Sequence, residues 1–399
     1  MNAALPLEEA QARLLAMAEP LAVETLAVAD ALGRYLADPL TARRTQPPAD
    51  LSAMDGYALR LDDGGGPWKV VGESAAGHPF TGHVNAGEAV RISTGAHVPA
   101  GTDAILLQEN ARRDEETLEL NGEGHPTAHH IRRAGFDFVT GDTLAPAGKL
   151  LDPVMVALAI AAGNTALSVR RRTRVTIIDS GDELATAPAN CGPHQIPASN
   201  GPMLQAMLAA LPCDVQRLGP VPDRLDALVD ALECAADADL IVTSGGASVG
   251  DHDLVRPALE QWEADIAFWR VAMKPGKPLM VARRGQTLVL GLPGNPVSSY
   301  VTACLFLLPL VRKLAGATAP LPTFREAPAG ALLKPGGPRL EFVRGRWDGR
   351  TITPLPEQDS SALLSLSRAN CLILRPAQAP AASIGTLVSF YQLENGSIA

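Results

Sequence analysis

The spacing of apolar positions changes several times along the chain, and the changes divide it into segments. Leu7, Leu14, Leu15 and Met17 recur near helical spacing, which predicts an amphipathic helix over residues 1 to about 20. A second helical stretch is expected to end near Leu36, before the paired prolines of RRTQPPAD (43–50) break the pattern. From about 44 to 136 the segments are short, rich in β-branched residues and punctuated by glycine (WKVVGES, EAVRIST, DAILLQE, ETLELNG), which predicts a small β domain. PVMVALAIAAG, from Pro153, is apolar nearly all round, the pattern of a buried core helix.

Residues 173 to about 322 alternate strand and helix. RVTIID (174–179), DVQRLG (214–219), DLIVTS (239–244) and TLVLGL (287–292) are strand candidates separated by amphipathic helical patterns. Such alternation implies a parallel sheet covered on both faces, with ligands at the C-terminal ends of its strands. A linker, GATAPLPTF (316–324), leads to a β-rich tail in which Asp348-Gly349 predicts a two-residue hairpin turn.

Composition narrows the class. The 399 residues suffice for two to four domains, and 46% of them are hydrophobic. A net charge of -9 with no basic arm argues against a nucleic-acid partner. Five scattered cysteines without a Cys-x-x-Cys predict a reduced, cytoplasmic protein with neither a disulfide framework nor a zinc knuckle. The acidic N-terminus does not read as a signal peptide. The longest apolar run, Val301 to Val311, falls short of the roughly 20 residues a membrane helix needs.

Three glycine-rich loops follow strand candidates: DSGDEL (179–184), TSGGASVGDHD (243–253) and GLPGNPVSS (291–299). Backbone N–H groups in such turns can approach an anion. MKPGKP (273–278) holds Lys274 and Lys277 around a proline-stiffened turn suited to a phosphate or an oxyanion. Asp182, Glu183, Asp251 and Asp253 accompany the loops, and Asp55 and Asp137 lie upstream; a hard cation such as Mg²⁺ would bridge carboxylates to phosphate. Neither Gly-x-Gly-x-x-Gly after the first strand nor a P-loop is present, which removes the main support for a nicotinamide or ATPase reading.

SAMDGYA, RISTGA with DAILLQEN, the GxDxxxGxxL stretch, SGDEL, TSGGASVGxxD, FWRVAMKPGKP, GLPGNPVS and RG…SSALLSLSRAN together resemble the MoeA/gephyrin molybdenum insertases, in that family's motif order from about residue 7 to 393. The resemblance implies a multidomain α/β protein: a central doubly wound, mostly parallel α/β domain (1–20 and 173–322), a helical/β hinge and dimerisation domain (21–43 and 137–172), a small β domain (44–136) and a C-terminal β-barrel domain (323–399). It implies an enzyme that inserts molybdate into the dithiolene of adenylylated molybdopterin with release of AMP, with Mg²⁺ as cofactor. The alternative is a non-catalytic pterin-binding or scaffold paralogue. Carried over by motif, Asp55, Asp137, Glu183, Asp253, Lys274 and Lys277 are catalytic candidates, with Glu183 and Asp253 as metal ligands. Thr94, Asp223, Ser248, Ser298, Arg344 and Ser360 are substrate-binding candidates. The implied partners are a second copy of the chain, an upstream pterin-adenylating enzyme and apo-molybdoenzymes, with no membrane. Leu51 and Ser93-Thr94-Gly95-Ala96 depart from the usual motif. Because Pro320 and Pro322 stiffen the linker, the tail is expected to turn away from its own α/β domain and complete the partner's site.

Overall fold

A computed structural model describes residues 4–245 and 254–393. Its largest element is a six-stranded sheet. The helix α1 (Leu7–Ala16) precedes it in the chain, followed by β1 (Thr173–Ser180), α2 (Asn200–Leu208), β2 (Cys213–Val221), α3 (Leu225–Cys234), β3 (Leu240–Ser244), α4 (Val255–Gln261), β4 (Asp265–Phe268), β5 (Met280–Arg284) and β6 (Thr287–Leu292). The spatial order is β2-β1-β3-β6-β5-β4. The four strands foreseen in the sequence are the parallel ones. Two others were not foreseen: β5 pairs antiparallel with β6, and β4 with β5. They extend the sheet on one side and carry the chain through MKPGKP.

One helix spans Pro296–Leu314. At 19 residues and a mean hydropathy of 1.4 it passes a membrane-span test by length and composition, contrary to the reading of Val301–Val311 alone, but 78% of it is buried inside the fold. It is a core helix. Its middle, Ala303–Leu307, opens into a π-turn ahead of Pro309. Pro309 has no N–H for the carbonyl one turn back, Leu305 O. Buried Gln11 on α1 supplies the missing donor, 2.8 Å from Leu305 O. Gln11→Leu is therefore expected to cost about 1–3 kcal/mol by leaving that carbonyl unsatisfied, readable as a lower urea midpoint at unchanged m-value.

The predicted helix ending near Leu36 is instead a strand, Val23–Ala27, followed by a single 3-10 turn. Pairing with Ala166–Arg170 overrides the local helical pattern. The helix Pro153–Ala161 forms as expected, capped by Asp152 on Met155 N–H, but it is not buried all round. Met155 and Ala159 pack into the hinge core, while Val154 is 74% and Ile160 57% exposed. The small β sheet runs Ala104–Leu107, Gly56–Leu59, Glu88–Ile92, Trp68–Ser74, Thr117–Leu120, Ala111–Asp114 around Trp68, Leu106 and Leu118.

In the tail, Leu340–Trp347 pairs with Cys371–Arg375, which leads through Leu387–Gln392 to Arg325–Pro328. The Ala329↔Ile352 bridge and Gly330 N–H on Ile352 O close these strands into a ring. The Asp348 turn spans four residues rather than two, because Trp347 pairs with Ile352. Asp348 Oδ1 accepts from the amides of Arg350 and Thr351, which stabilises the longer turn.

The tail does not turn away from its own α/β unit. Met273–Lys274 adds to Leu340–Trp347 as a parallel strand. Phe342, Leu366, Leu372 and Leu393 join the apolar core that contains Leu305 and Phe306. The stiff linker sets a direction, and burial of this apolar surface decides the docking.

Candidate functional site

Two clefts meet on one edge of the α/β unit. The first, about 960 Å³, lies at the C-terminal ends of β1, β3 and β6. Its walls are the SGDEL loop, the start of α2 and the LPGNP loop, with Glu183 and Asp223 among the lining residues. Gly181 has φ +149, and a Cβ there would lie 2.5 Å from Glu183 Oε2, so only glycine lets the Glu183 side chain fold back over the turn. Asp182 and Asp223 clasp each other's loops: Asp223 N–H donates to Asp182 Oδ1 at 3.1 Å and Asp182 N–H to Asp223 Oδ2 at 3.4 Å. Asn200 Nδ2 donates to Gly294 O at 2.7 Å and ties α2 to the LPGNP loop.

The second cleft, about 1070 Å³, lies between MKPGKP and the tail barrel. Lys274, Lys277, Lys334, Arg339 and Arg375 line it together with Ser298, Ser360, Glu341, Glu357 and Asp359. Lys274 Nζ is 3.4 Å from Glu341 Oε1, whereas Lys277 is exposed and has no ion pair among the described residues. Ser361, through its hydroxyl and amide, holds the Asp359 carboxyl below its usual range, with Arg344 adding to the effect. The clefts share Pro278, and Asn295 Nδ2 donates to Ser360 Oγ at 3.1 Å where they join. Glu183 and Asp223 therefore line the first cleft and Lys277 the second, with Pro278 shared between them.

Asp55 and Thr94 sit elsewhere, on the small β sheet. Thr94 donates to Asp55 Oδ1 through its amide at 2.7 Å and its hydroxyl at 3.1 Å. These two bonds lower the Asp55 pKa from its ordinary value, against a desolvation effect that raises it and with Arg91 adding to the lowering. Asp137 is exposed beside the crossing of the hinge and the small β unit, where its amide donates to Gln46 O. No hydrogen bond, ion pair or strand pairing among the described residues joins the Asp55 sheet to either cleft. Ser248, Asp251 and Asp253 lie outside the described residues. Among the described residues no group of three or more His, Cys, Asp and Glu is gathered for a metal.

Over 395 residues the chain is 33% identical to the molybdopterin molybdenumtransferase of Haemophilus influenzae, covering 96% of this chain and 98% of that protein. It belongs to the MoeA family. Residues 5–163 match the MoeA N-terminal region (domain I and II), 176–313 a probable molybdopterin binding domain, and 326–393 the MoeA C-terminal region (domain IV). A molybdopterin molybdenumtransferase of Staphylococcus aureus is 29% identical over 384 residues, 93% of this chain and 91% of that one. Two crystal structures of the MoeA protein from Pyrococcus horikoshii superpose at TM-scores of 0.84 and 0.79, with 24% and 26% identity over 98% of this chain and 100% and 99% of theirs.

Within this MoeA chain, one substrate-binding candidate is corrected. Arg344 is 2% exposed, and its Nη2 donates to Glu357 O at 2.9 Å and Asp359 O at 3.0 Å. Its guanidinium shapes the 355–360 loop from behind and does not line the cleft. Arg344→Ala is expected to lose about 2–4 kcal/mol of stability by stranding two carbonyls and opening a void, measured as a fall in denaturant midpoint. Sequence reasoning missed Arg339, Glu341 and Asp179. Arg339 Nη1 donates to Met273 O at 3.2 Å, so it braces the lysine loop from the tail. No local motif marks it, because the partner strand is 66 residues away.

Proposed function

We propose that the chain inserts molybdate into the dithiolene of adenylylated molybdopterin, releasing AMP, as a cytoplasmic homodimer. The observation that carries this reading is the junction of the two clefts at Asn295 and Ser360. On one side are carboxylates at strand ends, on the other a wall of lysines, arginines and hydroxyls interspersed with Glu341, Glu357 and Asp359. A pyrophosphate-linked substrate lying across the junction would present its phosphates to Glu183 and Asp223 and its dithiolene to the oxyanion side. Lys277, Lys274, Ser298 and Ser360 bind and orient molybdate by charge and hydroxyl donation. Glu183 positions water for attack at phosphorus.

The donor set suits Mg²⁺, which takes one or two carboxylates and completes its shell with water and phosphate oxygens. Glu183 would hold it, with Asp253 as the expected second ligand from outside the described residues. When bound, it neutralises charge on the phosphates.

Two features support a second copy. The Asp55–Thr94 pair lines neither cleft of its own chain, so it would serve the reaction by reaching a partner's cleft. The hinge also exposes Val154, Ile160, Val23 and Leu32, an apolar surface of the kind a two-fold dimer covers.

The test is reconstitution of an apo-molybdoenzyme with the purified protein, Mg²⁺, molybdate and adenylylated molybdopterin. AMP release coupled to molybdate and to restored enzyme activity is expected. Binding of the pterin without turnover would favour a scaffold and overturn the reading.

A further inference from the structure

The mechanism above leaves one buried carboxylate unused. Asp179, at the end of β1, is 4% exposed and lines the first cleft. The Gly201 amide at the start of α2 approaches it closely: a Cβ at Gly201 would lie 2.1 Å from Asp179 Oδ2. Burial pushes its pKa up, while Arg217 and the Gly201 amide oppose the rise.

Two hydroxyls accompany it. Ser180 is 5% exposed and Ser244, whose strand position pairs with Asp179, is 2% exposed. Both line the same cleft, and neither Oγ has a hydrogen-bond partner among the described residues. The approach of the Gly201 amide to Asp179 explains neither hydroxyl. Buried polar groups normally find partners, so two partnerless hydroxyls beside a buried carboxylate on one cleft wall point to a ligand that supplies them.

The donor and acceptor pattern selects the ligand. A carboxylate has about four lone-pair positions, of which Gly201 uses one. The rest suit two adjacent N–H donors. The 2-amino-4-oxopyrimidine edge of a pterin offers such a pair, a ring N–H beside an exocyclic amine, and its 4-oxo group accepts from a hydroxyl. Adenine presents a bare ring nitrogen there, whose lone pair would face the carboxylate.

We propose that Asp179, flanked by Ser180 and Ser244, forms the pocket that reads the amino-oxo edge of the pterin ring. The inference rests on the reading that the substrate is a pterin, and it adds the residue that would determine ring specificity.

Asp179→Asn separates this role from helix capping, because an asparagine carbonyl still accepts from Gly201 while its amine opposes the ligand's N–H donors. Calorimetric titration of the full chain would use molybdopterin, guanosine (which has the same edge) and AMP. The expected result is a loss of about tenfold or more in affinity for molybdopterin and guanosine, with AMP binding and the unfolding midpoint unchanged. Unchanged affinity for molybdopterin and guanosine would overturn the proposal. So would a parallel loss of all three ligands and of stability, since a helix cap alone accounts for that. If the wild type binds guanosine but no pterin and Asp179→Asn abolishes it, edge recognition by Asp179 stands and the pterin reading falls. If the wild type binds neither, both fall.

Discussion

Lys277→Ala is expected to lower cofactor formation at limiting molybdate by about tenfold to a hundredfold while leaving the unfolding free energy within about 0.5 kcal/mol of the wild type. Lys277 is exposed, sits in a loop held by neighbouring backbone, and has no counterion among the described residues, so its charge is available to a ligand. The loop survives the substitution: Val271 N–H still donates to the residue 277 carbonyl, and Gly276 keeps its φ of +99 against Thr302. Lys274 differs. Its ammonium is paired with Glu341, which also lines the second cleft. Lys274→Ala removes a positive charge and unmasks a negative one, so it is expected to impair molybdate use at least as severely as Lys277→Ala. Adding Glu341→Gln to Lys274→Ala should recover part of the loss, whereas adding it to Lys277→Ala should recover little. Steady-state rates across a molybdate titration decide this; wild-type behaviour of Lys277→Ala at low molybdate would remove the lysine from the site.

The second large effect concerns which lesions complement. The docking of the tail onto its own α/β unit places Glu183, Lys277, Ser298 and Ser360 around clefts of one chain. In the proposed dimer, Glu183→Gln and Arg344→Ala would damage the same half of a shared site. A mixed dimer of the two carries one lesion in each site and is expected to stay as inactive as its parents. Asp55→Asn with Lys277→Ala behaves differently. Their mixed dimer collects both lesions in one composite site and leaves the other intact. Co-expression with random pairing should restore about a quarter of wild-type activity, and a mixed dimer isolated with two affinity tags about half. Activity is read as cofactor formed per dimer. Recovery in the Glu183/Arg344 pair would show that a chain's tail does not serve its own α/β unit, and no recovery in the Asp55/Lys277 pair would show that the small β unit does not serve a partner's clefts.

Much was readable along the chain because it is written in local period and turn chemistry. The four parallel strands announce themselves as apolar runs followed by glycine-rich turns, and β1 and β6 are buried along nearly their whole length. SGDEL, MKPGKP and LPGNP mark the cleft walls because each needs glycine or proline at a fixed step, as Gly181 and Gly276 do. What failed was settled by distant partners. Val23–Ala27 has a helix-like pattern but meets Ala166–Arg170, and sheet pairing wins. The apolar circumference of Pro153–Ala161 reads as core, yet the hinge offers only one face to cover it.

The site shows the same division. Residue type and spacing determined that this chain carries carboxylate loops, paired lysines and hydroxyls fit for a phosphate and an oxyanion. Only the tertiary structure decided their grouping. Arg344 was chosen by motif, but burial turned it towards carbonyls, and Arg339 lines the cleft instead. Asp179 lay unremarked in its own motif, because burial and the approach of Gly201, 22 positions away, give it an environment that no local pattern encodes. The tail settled on its own α/β unit because apolar burial around Phe342, Leu372 and Phe306 outweighs the stiffness of a short linker. Local sequence specifies which groups are present and how each turn bends; contacts between distant segments specify which charges remain free to meet a ligand.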